Sequence, residues 1–255
     1  MQRKRYPILE FDPSPQAVIE PQRVLQPADV PEHCVLCFFQ EVIEGLREDG
    51  QARQIHALRS EIGPNLLYEL TVQGQRLALF HPGLGASLGA AWMEELIALG
   101  VRKFIACGGA GVLDREIATG HLLVPISAVR DEGTSYHYLP PGREVEPSPE
   151  GVAALVKTLE AHGVPYLRIK TWTTDAFYRE TTAKVQLRLR EGCLAVEMEA
   201  AAFFAVAAFR GVTMAQLLYG GDDVSGTDWD PRRWDGRAAT RESVFWLAAE
   251  ACLSL

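Results

Sequence analysis

The sequence predicts an α/β fold in which one domain is built as three layers, α/β/α, around a central sheet. Two observations carry this prediction. Short apolar runs typical of buried strands alternate with longer amphipathic runs typical of helices, as in sheets that are covered on both faces. The chain has 255 residues, of which 47% are apolar and 23% charged, and this size and composition suit one such domain.

The elements follow one another without a repeat or a low-complexity linker. The proline-rich residues 1–33 are predicted to wrap the surface, and residues 34–255 to form the domain. Strands are predicted at residues 35–39, 55–62, 66–72, 76–81, 103–107, 122–126, 166–172, 193–196 and 214–219. Helices are predicted at residues 41–47, 90–99, 151–162, 199–209 and 241–253. Residues 140–149 are predicted to form a long polar loop.

Charge and cysteine content narrow the functional class. A net charge of −8 argues against nucleic acid or a membrane as the main partner, because both bind basic surfaces. We find no apolar run of signal or membrane-spanning length, and the five cysteines have no disulfide spacing, so we expect a cytoplasmic protein. Cys34 and Cys37 form a CxxC within a predicted strand, where they would face opposite sides, and no metal is expected.

Glycines and acids follow the predicted strands. Gly83-Leu84-Gly85 and the glycine cluster at 108–111 each follow a strand, and the helix after Gly85 offers its N-terminal amides to an anion. Glu197 and Glu199 follow another strand, and the acids at 222–223 follow a fourth. Because ligands of open α/β sheets bind beyond the carboxyl ends of strands, these four ends predict a site for a polar ligand.

Several segments, taken in order, resemble the nucleoside phosphorylase superfamily, which includes purine nucleoside phosphorylase, uridine phosphorylase and the methylthioadenosine/adenosylhomocysteine nucleosidases. These segments are residues 83–96, 108–111, 128–135, 175–178 and 196–201. The resemblance implies a mixed, partly barrel-like sheet, a nucleoside substrate and no cofactor beyond inorganic phosphate as a possible co-substrate. It also implies a homo-oligomer, either a dimer or a hexamer.

On the sugar side, the resemblance implies that Glu199 accepts hydrogen bonds from the ribose 2′- and 3′-hydroxyls. A carboxylate there would stabilise the positive charge that grows at C1′ in the transition state. Glu197 and Met198 would also lie at the ribose. For Met198, ordinary core packing is the alternative interpretation.

On the base side, the resemblance implies that Phe177 stacks on the base, with Gly109 beside it. Asp222 would be the general acid, because protonation of purine N7 lowers the barrier to base release. The alternatives are core packing for Phe177 and a turn cap for the acids at 222–223. Asp223, adjacent in an extended chain, would face the other way. Trp229 would either close over the base or pack.

The phosphate side departs from the family. The family's early Gly-Asp-Pro-x-Arg motif is Phe11-Asp12-Pro13-Ser14-Pro15 here, and Ala106 and Gly109 replace an arginine and a Ser or Thr. Gly83, Gly85 and Arg130 remain as candidates for binding phosphate.

Three functions stay open. Phosphorolysis of a nucleoside is the leading prediction. Uridine is disfavoured because Thr181 and Ala183 stand where uridine phosphorylases carry the Gln and Arg that read uracil, and Asp222 points to a purine. Hydrolysis by water is the first alternative, because the phosphate-binding arginines are missing. A non-catalytic nucleoside- or base-binding protein is the second.

Overall fold

The computed structural model describes residues 3–26 and 28–255. Its strands are β1 (His33–Cys37), β2 (Arg53–Ser60), β3 (Gly63–Val72), β4 (Gln75–Phe80), β5 (Lys103–Val112), β6 (Leu122–Asp131), β7 (Glu144–Val145), β8 (Tyr166–Thr174), β9 (Cys193–Glu197) and β10 (Thr213–Asp223). Its helices are α1 (Pro21–Val24), α2 (Gln40–Glu48), α3 (Ala86–Leu99), α4 (Pro149–Ala161), α5 (Thr182–Arg190), α6 (Ala200–Arg210) and α7 (Ala238–Leu253).

All ten strands belong to one mixed sheet. Strand β5 is parallel to both β1 and β10 and antiparallel to β9, so the path β10-β6-β8-β9-β5 returns to β10 and closes a barrel. The remaining strands extend from β5 in the order β1-β4-β3-β2, and β7 pairs with β6. The predicted mixed, partly barrel-like sheet is therefore confirmed.

Helices cover the sheet on both sides, as the three-layer prediction requires. One apolar cluster lies under α3 and α6, and a second lies under α2, α4 and α7. Cys34 belongs to the first cluster and Cys37 to the second, which confirms that they face opposite sides. Phe203 and Phe204 of α6 are almost completely buried. Burial of such a side chain contributes about 1.5–3 kcal/mol.

Several strands run further than the sequence predicted. The glycine cluster at 108–111 lies inside β5, and the acids at 222–223 lie inside β10 instead of beyond it. The reason is tertiary: β10 pairs with β5 from Thr213 to Asp223, so barrel closure supplies partners that keep both strands extended. The predicted loop at 140–149 contains β7 and the first residue of α4, Pro149, which starts the helix.

The N-terminal segment lies against α3 and α6. Arg210 at the end of α6 bonds the carbonyl of Pro15 at 3.4 Å and lies 4.0 Å from Glu20, while Asp29 pairs with Arg76. A cavity of about 640 Å³ separates parts of this segment from the two helices. Residues 1, 2 and 27 of the predicted wrapping segment lie outside the described residues. Within the described chain, we find no helix of the length and hydropathy that a membrane crossing requires.

Candidate functional site

A glycine turn connects β4 to α3 and contributes the first part of the site. Gly83 and Gly85 have φ of +76° and +93°, and a Cβ at Gly83 would lie 2.4 Å from the Leu88 side chain. Only glycine fits this conformation and this spacing. The amide of Gly83 donates to Nδ1 of His81 at 3.1 Å, and that of Gly85 donates to Oε1 of Glu199 at 2.6 Å. Both amides are therefore bonded within the protein.

Glu199 stands at the N-terminal cap of α6, with only 4% of its surface exposed. Burial and the neighbouring charge of Glu197 raise the pKa of Glu199 to about 8, although the hydrogen bond from Gly85 opposes the shift. Gly89 of α3 packs against the Glu199 side chain, so the carboxyl group lies between two helix starts. It is a buried acid that carries a proton near neutral pH.

Glu197 is held by the fold itself. Its Oε2 accepts the amides of Glu199 at 2.7 Å and Ala200 at 2.6 Å, and its Oε1 accepts the hydroxyl of Thr173 at 2.6 Å. These bonds cap the start of α6, where the helix dipole favours negative charge. The proposed contact between Glu197 and ribose stays a prediction, since protein donors occupy both carboxylate oxygens.

The residues expected near the sugar and base present accessible surface. Met198 is half-buried, and Gly109 is exposed beside the ring of Tyr219. Phe177 is 45% exposed, and its ring lies 4.0 Å from that of Tyr178. Phe177 is therefore not a core residue, and its stacking on a base stays a prediction.

Asp222 lies at a bulge of β10, where Gly220 pairs with Ala110 but Asp223 pairs with Val112, so three residues of β10 oppose two of β5. Oδ2 of Asp222 accepts the indole N–H of Trp229 at 2.7 Å. Both carboxylate oxygens lie near Gly111, where an added Cβ would be 3.5 Å from Oδ1 and 3.7 Å from Oδ2. The Asp222 side chain is thus bonded to Trp229 and lies beside the glycine-containing strand β5.

Asp223, the next residue, has a different environment. It is buried, bonds Arg232 at 2.7 Å and accepts the amide of Ser225 at 2.8 Å. Although burial opposes it, the bonds from Ser225 and the Arg232 guanidinium lower the pKa of Asp223. Asp223 therefore anchors the chain that follows β10.

Glu180 is a residue of this region that the sequence analysis missed. It is partly buried just after the short helical turn that carries Phe177. Burial and then the charge of Asp222 raise its pKa to about 7, while Lys184 opposes the shift. The only available signal was its position three residues after Phe177, because no motif of the family includes it.

Arg130, the predicted phosphate ligand, is buried and already bonded. Its guanidinium donates to the Ser135 hydroxyl at 2.8 Å and to the carbonyls of Pro140 at 2.8 Å and Leu139 at 3.3 Å, and it lies 4.4 Å from the centre of the Tyr136 ring. These contacts hold the chain between β6 and β7. A phosphate role for Arg130 stays a prediction.

The structure thus brings the predicted residues into two groups. One contains Gly85 and Glu199, and the other contains Asp222 and Trp229. The two groups are connected through β5, where Gly111 pairs with Val196 of β9. Met198 lies two residues after Val196. Among the residues described, His, Cys, Asp and Glu form no group of three suited to a metal ion.

Comparison with known proteins gives a consistent result. A family model described as the phosphorylase superfamily matches residues 32–249. The chain is 32% identical over 139 residues to a guanosine phosphorylase of Halorubrum lacusprofundi, covering 54% of this chain and 58% of that protein. It is 28% identical over 187 residues to a DeoD-type purine nucleoside phosphorylase of Bacillus cytotoxicus, covering 72% and 78%. The chain spans about six tenths or less of the length of the first curated relatives.

Solved structures share the fold at low identity. A uridine phosphorylase from Vibrio fischeri matches with a TM-score of 0.74 and 22% identity, over 89% of this chain and 94% of that chain. An AMP nucleosidase from Bacteroides thetaiotaomicron matches with a TM-score of 0.70 and 23% identity, over 91% and 95%. The family match covers most of the sequence and agrees with the barrel-like sheet. The chain therefore belongs to the phosphorylase superfamily.

Proposed function

We propose that this protein cleaves the N-glycosidic bond of a purine nucleoside. The observation that carries the proposal is the placement of two carboxyl groups beside β5: Asp222 lies on β10, and Glu199 lies just after β9. Each is near a glycine of the site. Cleavage of a nucleoside is favoured by negative charge near the sugar and by a proton donor near the base. In this proposal Glu199 supplies the charge and Asp222 supplies the proton.

At the sugar, Glu199 binds the ribose hydroxyls. Its pKa of about 8 means that Glu199 is mainly protonated near neutral pH before a nucleoside binds. Two ribose hydroxyls would donate hydrogen bonds, and such bonds favour the ionised carboxylate. Ionised Glu199 then stabilises the positive charge at C1′ as the bond to the base breaks.

At the base, Asp222 donates a proton to N7. Oδ2 accepts the Trp229 indole N–H, which leaves Oδ1 as the oxygen that would deliver the proton. Phe177 provides an exposed aromatic face on which the base stacks. Release of a neutral base is easier than release of an anion, which is why the proton accelerates cleavage.

Two nucleophiles are compatible with this site. The names of the relatives, guanosine phosphorylase and purine nucleoside phosphorylase, support inorganic phosphate. A specific observation favours water: the amides of Gly83 and Gly85 and the guanidinium of Arg130 already bond to protein groups. A dianion would have to displace these partners, whereas water needs no such cluster of donors.

The test is incubation of the pure protein with a panel of purine and pyrimidine nucleosides, with and without phosphate. Phosphorolysis yields ribose 1-phosphate and depends on phosphate, and hydrolysis yields free ribose in phosphate-free buffer. Glu199→Ala should slow either reaction by about 10²–10³-fold, whereas Glu61→Gln, on an exposed turn, should not slow it. Release of no base, together with ligand-induced thermal stabilisation, would contradict catalysis and support the binding-protein alternative.

The assembly and compartment belong to the same proposal. A homo-oligomer is supported by exposed apolar side chains at Val18 and Ile19, which are 95% and 78% exposed. Sedimentation at several protein concentrations distinguishes a dimer or hexamer from a monomer. A cytoplasmic location is supported by the five free, buried cysteines, since such thiols suit a reducing compartment.

A further inference from the structure

Phe38 follows β1 at the point where the chain runs beside β5. Cys37 pairs with Cys107, and the amide of Phe38 donates to the Cys107 carbonyl at 3.1 Å. The next residue of β5 is Gly108, where an added Cβ would lie only 3.1 Å from the Phe38 ring. The absence of a side chain at Gly108 therefore leaves room for this ring, in a glycine cluster that the sequence analysis had reserved for a ligand.

The Phe38 ring lies on the face of the sheet that carries Glu199. It packs against the apolar cluster under α3 and α6, and its centre lies 6.4 Å from that of the Phe203 ring. The Phe203 ring in turn lies against Gly89, as the Glu199 side chain does. Phe38 is half-buried, and it is connected to the proposed ribose ligand through Phe203 and Gly89.

The same ring meets the glycine turn between β4 and α3. The centre of the His81 imidazole lies 6.1 Å from that of Phe38, and the two ring planes are inclined by 68°. Nδ1 of His81 accepts the Gly83 amide, so the neutral imidazole carries its proton on Nε2. Burial lowers the pKa of His81, which leaves the imidazole uncharged at neutral pH. Two uncharged rings therefore lie between the glycine turn and β5.

These surroundings are unfavourable for a phosphate dianion. Gly83 and Gly85 are the residues predicted to bind phosphate, but their amides already donate to His81 and Glu199. An anion that leaves water needs positive charge or several donors in return, and the Phe38 ring offers neither. Water carries no charge, so the cost of placing it beside the ring is much smaller.

We propose that Phe38 determines the nucleophile: its ring excludes phosphate from the space beside the glycine turn, so that water attacks C1′ and the protein acts as a nucleoside hydrolase. The inference rests on the proposed function. As the C1′–N9 bond breaks, its electron pair stays on the base, and Asp222 gives a proton to N7. The water oxygen bonds to C1′ and loses a proton to solvent, from which Asp222 regains one. The products are free ribose and the neutral base.

The first test uses the wild type. Cleavage of a purine nucleoside should yield free ribose, at the same rate with and without inorganic phosphate. Phosphorus NMR of inorganic phosphate should show no saturable line broadening when the protein is added. Formation of ribose 1-phosphate at a rate that depends on phosphate would overturn the inference while the proposed function stands.

The second test places a cation where the ring lies. Phe38→Arg should bind inorganic phosphate about 10–100-fold more tightly than the wild type, because a guanidinium forms charge-assisted hydrogen bonds with it. Ile62→Arg adds the same charge at a side chain that is 73% exposed, and it should bind phosphate no more tightly than the wild type. Phe38→Leu keeps an apolar side chain and should also match the wild type. A Phe38→Arg protein with the phosphate affinity of Ile62→Arg would overturn the inference.

The binding measurement requires no turnover, so it separates the inference from the proposed function. A wild type that releases no base from any nucleoside would contradict the function, and the phosphate affinities of the variants would still decide whether the ring excludes phosphate. Thermal unfolding shows whether each variant is folded. If Phe38→Arg does not fold, Phe38→Lys places a cation on a more flexible side chain and takes its place in the same comparison.

Discussion

The sugar side and the base side of the site each contain two acids that are close neighbours in sequence, Glu197 with Glu199 and Asp222 with Asp223. In each set one acid is bonded internally: Glu197 accepts two helix amides and a hydroxyl, and Asp223 bonds Arg232 and Ser225. The other acid bonds outside this set, Glu199 to the Gly85 amide and Asp222 to the Trp229 indole. One acid thus stabilises the backbone, and its neighbour keeps bonding capacity for a ligand.

The largest effect on the rate of cleavage should come from removing Glu199, the sugar-side acid that can bond a ligand. Glu199→Ala should lower kcat/KM for nucleoside cleavage by about 10²–10³-fold, because no other carboxylate is placed to support charge at C1′. Steady-state kinetics with the preferred nucleoside measure this. Glu61→Gln, an acid on an exposed turn, serves as the control and should stay close to the wild type. A Glu199→Ala variant with the kcat/KM of the wild type would contradict the ribose assignment.

Removing the bonded acid should act on stability instead. Glu197→Ala leaves the amides of Glu199 and Ala200 and the Thr173 hydroxyl without their buried acceptor. The free energy of unfolding should fall by about 2–4 kcal/mol. Urea denaturation at pH 7 measures it, and Glu61→Ala should shift it by less than about 0.5 kcal/mol. Equal stability of wild type and Glu197→Ala would show that the capping bonds contribute little.

The pH dependence of stability tests the same contrast. The pKa of Glu199 rises from 4.5 to about 8 on folding, so the folded state binds its proton more tightly than the unfolded state. That contribution is complete below about pH 4.5 and is lost as the pH rises to about 8. Glu199→Gln does not ionise, so relative to the wild type it should be more stable at pH 9 than at pH 5 by about 1–3 kcal/mol.

Thermal unfolding at the two pH values provides the measurement. The difference between Glu61→Gln and the wild type should not depend on pH, which makes it the matched control. A Glu199→Gln protein whose relative stability is the same at pH 5 and pH 9 would mean that Glu199 titrates normally.

The smallest effect should come from the single donor on the base side. Trp229→Phe keeps an aromatic ring but removes the N–H that bonds Asp222 at 2.7 Å. Because Trp229 is 62% exposed, water can replace this donor in part, and cleavage should slow by only about 3–10-fold. Kinetics of Trp229→Phe beside Trp246→Phe, which lies in the packing of α7, distinguish this bond from a general effect of losing an indole. If Trp229→Phe cleaved nucleosides at the wild-type rate, the hydrogen bond from Trp229 to Asp222 would have no effect on cleavage.

Much of this arrangement could be predicted from the sequence, because it depends on local pattern. Alternating apolar runs indicated most strands, and strand geometry alone separated Cys34 from Cys37. Other features depend on tertiary structure. The bulge that places Asp222 arises from the pairing of β10 with β5, and no local signal gives its position. Glu180 was missed because one of the causes that raise its pKa is the charge of Asp222, 42 positions later in the chain. Helix α5 was missed because its sequence is strongly polar and only two of its residues are buried.

Strand β5 sets the separation between the sugar-side acid and the base-side acid. Under the proposed function, the sugar and the base are joined by one covalent bond of fixed length, so the groups that handle them must keep a fixed separation. Both β9 and β10 take their register from the same short stretch of β5, where Gly111 pairs with Val196 and Val112 pairs with Asp223. A one-residue insertion in this stretch would displace one acid relative to the other by about 3.3 Å, so the two groups would no longer match the fixed separation of sugar and base.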